Sequence, residues 1–264
     1  MRIDVYLAEN GLASSRTRAL DLIKKGLVSV GGKTVTKASF DVTDSDEITV
    51  ENSGNQYVSR AALKLAHAKE YFGIDFAGLD AVDLGASTGG FCQVMLDSGI
   101  KEVCAVDIGH GQLHESIASD KRVRVFEGVN ARYIDESIIG KRVDIVTADL
   151  SFISQTLVFE AIASILKPYG VYIGLIKPQF EAGRDKVGKG GIVKDKRVHA
   201  DVIEKVILNA NTFGLVCKDI TSSPILGGDG NREFLAYYIY EQTPGEIPSR
   251  EKIDIIAKGD TEHR

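Results

Sequence analysis

Ala81-Val82-Asp83-Leu84-Gly85-Ala86-Ser87-Thr88-Gly89-Gly90-Phe91 reads as a short buried strand, a loop of small residues, and the start of a helix that continues through Val94, Met95 and Leu96. Glycines in such a loop let backbone approach a ligand and take φ values that a Cβ forbids. The helix that follows presents unpaired N–H groups above the loop. Asp83 closes the strand, and Asp107 closes the next hydrophobic run, Val103 to Val106. An acid about 20 residues beyond a glycine-rich strand–helix turn suits hydrogen bonding to a ribose diol. The stretch therefore predicts a nucleoside-bearing cofactor at the first turn of a doubly wound α/β sheet. It lacks both the Gly-x-Gly-x-x-Gly of dinucleotide sites and the Gly-Lys-Ser/Thr of a P-loop.

A chain of 264 residues has room for one large domain, or for one domain and a small module. No apolar run approaches the roughly 18 residues of a membrane-spanning helix. Met1-Arg2-Ile3-Asp4-Val5-Tyr6 lacks the basic-then-apolar pattern of a signal peptide. Cys92, Cys104 and Cys217 have no metal-ligand spacing and read as buried thiols in a reducing compartment. The expectation is a cytoplasmic enzyme without a metal. A net charge of −5 argues against wholesale coating by nucleic acid but is compatible with a local basic face.

The first 40 residues are such a locally basic region, with Arg2, Arg16, Arg18, Lys24, Lys25, Lys33 and Lys37 opposed by Asp4, Glu9 and Asp21. Ile3, Leu7 and Leu12 mark a short helix ending at Gly11. Ser14-Ser15 caps a second helix whose apolar face is Ala19, Leu20, Leu22 and Ile23. Leu27 to Val35 reads as a hairpin turning at Gly31-Gly32, and Asp46 to Val50 as a closing strand. The pattern is similar to the αL-type RNA-binding domain of the ribosomal-protein S4 family. The matching residues are Arg2-Ile3-Asp4, Ser15-Arg16-Thr17-Arg18-Ala19, Ile23, Gly26-Leu27-Val28 and Val30-Gly31-Gly32-Lys33. That resemblance implies a phosphate-contacting face built from Arg2, Arg16, Arg18, Lys24 and Lys25. A solvated basic surface is the alternative. No aromatics interleave these cations, so base stacking is not expected of them.

Glu51-Asn52-Ser53-Gly54-Asn55-Gln56 reads as a linker. The expected organisation is residues 1–50, linker 51–56, a larger domain over 57–243 and a polar tail over 244–264. The larger domain opens with Tyr57-Val58-Ser59-Arg60 and a helix carrying Lys64 among Ala62, Leu63, Leu65 and Ala66. Strands are expected at Ala81–Leu84, Val103–Asp107, Val123–Phe126, Val143–Ala148, Val171–Ile176, Leu215–Thr221 and Phe234–Tyr240. Helices are expected near residues 91–98, 156–166 and 198–213. The glycine loop resembles the S-adenosylmethionine loop of Rossmann-like methyltransferases. That likeness implies Asp83, Gly85, Ala86, Ser87, Gly89 and Phe91 around the methionine end. Asp107 would meet the ribose, Val129 and Asn130 the adenine, and Asp149 the region of the methyl group.

Sites in doubly wound sheets gather at the carboxyl ends of the strands. Asp149 ends one strand, Lys177 ends the next, and Glu233 opens the last, which the methyltransferase resemblance makes antiparallel. Together Lys64, Asp149, Lys177 and Glu233 match the Lys-Asp-Lys-Glu tetrad of FtsJ-type ribose 2′-O-methyltransferases. A ribose hydroxyl is a poor nucleophile that must lose its proton as it attacks. A lysine acts as base when nearby cations depress its pKa. The expected roles are Lys177 as base, Asp149 as its orienting partner, and Lys64 and Glu233 as positioning groups. Taken singly, each has a bland alternative: a surface residue, a helix cap or a strand exit. Amino-group methylation of a base would call for an Asn/Asp-Pro-Pro-Tyr/Phe run where Asp149-Leu150-Ser151-Phe152 stands, and no cysteine ends a strand as base-carbon methylation requires. Phe180 to Gly191 is glycine-rich and basic, and reads as a mobile lid with Arg184, Lys186 and Lys189 facing RNA; Arg60 is a further candidate.

An S4-type module joined to an FtsJ-type domain resembles the TlyA family over nearly the whole chain. Distinctive stretches are Tyr57-Val58-Ser59-Arg60, Asp83 to Phe91, Ala148-Asp149-Leu150-Ser151-Phe152-Ile153-Ser154, Ile176-Lys177-Pro178-Gln179-Phe180-Glu181 and Gly228-Asp229-Gly230-Asn231-Arg232-Glu233. Ala61-Ala62 departs mildly from a glycine pair that the family often has. The resemblance implies S-adenosylmethionine-dependent methylation of ribose 2′-hydroxyls in ribosomal RNA, at cytidine. Family members are often labelled hemolysins, so a membrane-active protein is one alternative class. An RNA-binding assembly factor with a vestigial methyltransferase fold is another. The target nucleotide, subunit and oligomeric state are left open by the sequence.

Overall fold

A computed structural model of the chain describes residues 1–10, 12–13, 16–43, 46–50 and 57–259, without the Arg18 side chain. The expected linker at 51–56, the helix stop at Gly11, the Ser14-Ser15 cap and residues 260–264 lie outside the described residues. The chain divides into two units, Met1–Gln56 and Tyr57–Arg264.

In the first unit, helices α1 (Ile3–Glu9) and α2 (Arg16–Lys24) pack on a sheet of β1 (Val28–Val30), β2 (Lys33–Thr34) and β3 (Ile48–Val50). The order is β2-β1-β3 and both pairings are antiparallel. Gly31 and Gly32, with φ +55° and +75°, make the tight turn that joins β1 to β2. Two consecutive positive φ values match the right-handed twist of the strands, and only glycine takes them without strain. Ile3, Leu7, Ala19, Leu22, Ile23 and Val28 are buried between the helices and the sheet.

The second unit is a seven-stranded sheet of β4 (Asp80–Leu84), β5 (Glu102–Asp107), β6 (Val123–Glu127), β7 (Val143–Ala148), β8 (Leu166–Ile176), β9 (Leu215–Ser222) and β10 (Phe234–Tyr240). The order is β6-β5-β4-β7-β8-β10-β9. β4 pairs in parallel with both β5 and β7, and β10 runs antiparallel between β8 and β9. Parallel strands covered on both faces are buried along their whole length, as β4 is, with Ala81, Val82 and Leu84 in the core and Asp80 and Asp83 buried beside them. Alternate residues serve opposite faces. Val82, Leu84, Val146 and Ala148 pack with α7 (Phe159–Ile165), α9 (Lys196–Thr212) and α10 (Arg250–Lys258). Ala81, Val103, Ala105 and Ile145 pack with α3 (Ala62–Phe72) and α4 (Gly90–Asp97).

Two elements differ from expectation. β8 begins at Leu166, which pairs with Val143, five residues ahead of the expected start at Val171. The stretch taken for a polar tail contains α10, capped by Ser249 and burying Ile253, Ile256 and Ala257. Among the described residues, no helix is long and apolar enough to cross a membrane.

Candidate active site

The strand order reverses between β4 and β7, and at that switch point the carboxyl ends of neighbouring strands leave a crevice. The loop after β4 shapes its floor. Gly85 (φ +78°) lies so close to β7 that a Cβ would come within 2.9 Å of the Asp149 carbonyl oxygen. Ser87 holds φ +48°, and its N–H donates to Asp107 Oδ2 at 2.8 Å. Asp107 Oδ1 accepts from Gly109 N at 2.7 Å. Each carboxylate oxygen keeps a further lone pair, enough for two adjacent hydroxyls.

Two cavities share Gly85, Ser87, Asp149, Ser151 and Phe152. One, of about 350 Å³, is lined by Asp83, Ala86, Phe91, Lys64, Lys177 and Glu233 among others. The other, of about 480 Å³, is lined by Asp107, Ile108, Val129, Asn130, Leu150 and Ile153 among others. The pair is of the size that holds a nucleoside-bearing molecule. The polar methionine-side candidates thus meet one cavity, and the ribose and adenine candidates the other. Gly89 does neither. Its φ is +90°, and a Cβ there would come within 2.9 Å of Leu113 Cδ1, so glycine is required for packing and for the turn into α4. Gly90 lines the cavity instead, with Ser59 packed against its Cα. Asn130 Oδ1 accepts from Arg132 N at 3.0 Å and caps the following turn.

The four residues read as a tetrad form one chain of charges. Lys177 Nζ lies 2.6 Å from Asp149 Oδ1. Lys64 Nζ lies 3.1 Å from Asp149 Oδ2 and 2.7 Å from Glu233 Oε2. Lys177 Nζ also donates to Ser151 Oγ at 3.0 Å. Ala62, Leu65 and Ala68 of α3 are buried, and their packing carries Lys64 to the crevice. β8 and β10 deliver Lys177 and Glu233 side by side because Phe234 pairs with Ile176. Burial disfavours the Lys64 ammonium, but the carboxylates of Asp149 and Glu233 outweigh it and hold its pKa above the usual lysine range. Burial likewise opposes the Asp149 charge, yet Lys177 and Lys64 hold its carboxyl below the usual range.

Asp83 behaves differently. It is buried, accepts from Thr147 Oγ1 at 2.7 Å and from Cys92 Sγ at 3.2 Å, and burial raises its pKa to about 7. Glu181, also buried, fastens the loops after β7 and β8 together. Its carboxylate accepts from Ser154 Oγ at 2.6 Å and Gln155 N at 2.7 Å, so the loop after Asp149 is tied to the turn after Lys177.

Several cavity-lining residues escaped the sequence reading. Ile108 and Leu150 flank the cavity beside Asp107. Phe152 is 91% exposed with φ +64°, its ring 5.3 Å from that of Phe180. An aromatic three residues after a strand-end Asp, in the loop at the carboxyl edge of the sheet, is the signal that could have marked Phe152.

The cations read as RNA contacts have mixed surroundings. Arg2 and Arg16 both bond buried Asp4, at 2.9 and 2.8 Å, and so brace α1 against α2. Lys24 is exposed, and Lys25 pairs with Asp21 at 2.9 Å. Arg60 is exposed in the turn before α3, and Arg184, Lys186 and Lys189 are exposed after β8. Within the stretch read as a lid, main-chain hydrogen bonds run from Gly188 N to Ile192 O and from Gly191 N to Gly188 O.

The FtsJ-like methyltransferase family model matches residues 57–240, and the S4 domain model matches residues 1–48. YqxC of Bacillus subtilis, provisionally named an rRNA methyltransferase, is 38% identical over 97% of this chain and 92% of its own. The 16S/23S rRNA (cytidine-2′-O)-methyltransferase TlyA of Mycobacterium tuberculosis is 41% identical over 89% of this chain and 88% of its own. A solved structure from Streptococcus thermophilus that carries a provisional hemolysin name superimposes with a TM-score of 0.78 at 36% identity, covering 98% of this chain and 95% of that one. The chain belongs to the TlyA family, in which an S4 domain precedes an FtsJ-like methyltransferase domain.

Proposed function

We propose that the protein methylates a ribose 2′-hydroxyl of ribosomal RNA, at cytidine, from S-adenosylmethionine, with Lys64, Asp149, Lys177 and Glu233 as its catalytic residues. The observation that carries this reading is the buried ionic chain Lys177–Asp149–Lys64–Glu233 at the wall of a glycine-floored crevice. The relatives named for rRNA methylation supply the substrate class. The cofactor fits the residues present. Gly85 lines both cavities with no side chain to fill them, and Asp107 keeps acceptors for a diol. When bound, S-adenosylmethionine supplies an electrophilic methyl on a sulfonium.

Asp149 and Ser151 aim the Lys177 amine, and Lys177 Nζ, once its own proton has left, takes the ribose proton as the 2′-oxygen attacks. Asp149 stays ionised, because its carboxyl is held low by both lysines. Lys64 stays cationic between two carboxylates and fixes Glu233 beside the incoming ribose. The division of labour separates one lysine that exchanges a proton from one that does not. The S4 domain, residues 1–50 in this reading, holds structured RNA through its basic face, and residues 57–243 carry the chemistry.

The test is methyl transfer from labelled S-adenosylmethionine to separated ribosomal subunits and intact ribosomes. Wild type is expected to leave label in RNA at one ribose that resists alkaline cleavage. Lys177→Ala is expected to lose at least 100-fold in rate, about 2.7 kcal/mol, with cofactor affinity retained. Near-full turnover in Lys177→Ala would refute the base assignment. Absence of both label and cofactor binding in wild type would favour an RNA-binding assembly factor.

A further inference from the structure

Asn231 lies two residues ahead of Glu233, in the loop between β9 and β10, and its side chain is only 1% exposed. Both ends of its amide bond the main chain of another segment. Oδ1 accepts from Val193 N at 3.0 Å, and Nδ2 donates to Gly191 O at 2.9 Å. That segment is internally braced by the Gly188–Ile192 and Gly191–Gly188 hydrogen bonds. Val193 is buried, and its carbonyl meets His199 Nε2 at 2.9 Å on α9. Residues 183–193 therefore form an arm with a fixed root. The arm presents Arg184, Lys186 and Lys189, all exposed, against the single carboxylate of Asp185. On the other side, the Asn231 carbonyl accepts from Gly227 N at 2.9 Å and the Glu233 carbonyl from Ser223 N at 2.9 Å. Glu233 Oε2 then reaches Lys64 Nζ at 2.7 Å.

A buried amide that satisfies two main-chain groups is expensive to remove, because those groups are left unpaired away from water. Its placement matters more than its strength. One side chain joins the exposed cations to the strand end that carries a tetrad carboxylate, with one residue, Arg232, between Asn231 and Glu233. We propose that Asn231 is a positioning residue that fixes the basic arm 183–193 to the Glu233 strand end, so that RNA phosphates held by the arm bring the target ribose into register with Lys177. This rests on the RNA 2′-O-methylation reading above. A displacement of about 1 Å at the reacting atoms is enough to lower a rate on the order of 100-fold. Asn231 does not line either cofactor cavity, so its loss acts on register and not on cofactor binding.

The experiment is single-turnover methyl transfer to ribosomal RNA for four proteins, with S-adenosylmethionine affinity measured alongside. They are wild type, Asn231→Ala, the arm triple Arg184→Ala/Lys186→Ala/Lys189→Ala, and their combination. Asn231→Ala is expected to lower the rate at saturating RNA at least tenfold, with cofactor Kd within about twofold of wild type. The arm triple is expected to weaken RNA binding, and the combination to be no worse than the larger single effect, since both act through one device. Asn231→Asp, which keeps the acceptor for Val193 N and loses the donor to Gly191 O, should fall between. Hydrogen exchange at Val193 N should quicken in Asn231→Ala and slow when RNA binds wild type. A full rate in Asn231→Ala, additive losses in the combination, or loss of cofactor binding with the rate would each overturn the coupling. Wild type that binds cofactor but labels no ribosomal RNA would fail the function reading itself, and the coupling with it, a result visible without any variant.

Discussion

Asp83 meets two neutral donors, Thr147 and Cys92, whereas Asp149 nearby meets two ammonium groups. The consequence is a carboxyl that burial keeps protonated until about pH 7, when an unfolded aspartate ionises near 3.8. Between those values the native state holds a proton that the unfolded state has released. Stability therefore falls as pH rises from about 4 to about 7 and is level above that. Asp83→Asn removes the titration. The variant is expected to gain on wild type steadily across that window, by at most about 4 kcal/mol at pH 8. Urea unfolding at pH 5 and pH 8 checks this, and an equal difference at the two values would count against it. Cofactor affinity should fall in the same variant, since Asp83 lines the cavity beneath the glycine loop. At this scale the tetrad was legible because each strand-borne member begins or ends a strand, and strand ends are predictable from apolar runs. Gly89 was not. Whether a loop glycine faces a ligand or Leu113 depends on where a later segment returns, which no local pattern encodes. Ser151 was quoted within a motif, but its bond to Lys177 depends on the neighbouring strand end.

α10 shows the same limit for an element. Ser249 caps it, and the buried Ile253, Ile256 and Ala257 repeat at helical spacing, yet four apolar positions among nine residues give a weak signal beside strands that are mostly apolar. α9 and β9 supply the apolar surface that α10 covers, and that surface appears only when the sheet is assembled. Ile253 is fully buried in this contact. Ile253→Ala is expected to destabilise the larger unit by about 2–5 kcal/mol through lost burial and the cavity left behind. A lower urea midpoint with an unchanged slope is the expected signature. An unchanged midpoint would mean that α10 is not part of the cooperative unit. The strands, by contrast, were placed to within a residue or two except at β8. There the first pairing, Val143 with Leu166, is followed by a register shift and by Tyr169 at φ +62°, so the early half lacks regular alternation.

A molecule with net charge −5 binds a polyanion only where its cations are gathered. In the first unit Arg2 and Arg16 are already bonded to buried Asp4, where their removal would unsettle the packing of α1 against α2. Lys24 and Lys25, exposed at the end of α2, are the cleaner probes of RNA contact. If each neutralises one phosphate, Lys24→Ala/Lys25→Ala lowers RNA affinity and also reduces the slope of log affinity against log salt by about 2. Cofactor affinity should stay at the wild-type value, since the described residues that line the two cavities all fall in the FtsJ-like domain. Titration of ribosomal RNA at several salt concentrations, with S-adenosylmethionine binding measured in parallel, separates the outcomes. Weaker binding with a shallower slope assigns the S4 domain a phosphate-docking role. Unchanged affinity and slope would mean that the exposed lysines of α2 face solvent in the complex, and would shift the electrostatic attraction to Arg60 and the arm bearing Arg184, Lys186 and Lys189.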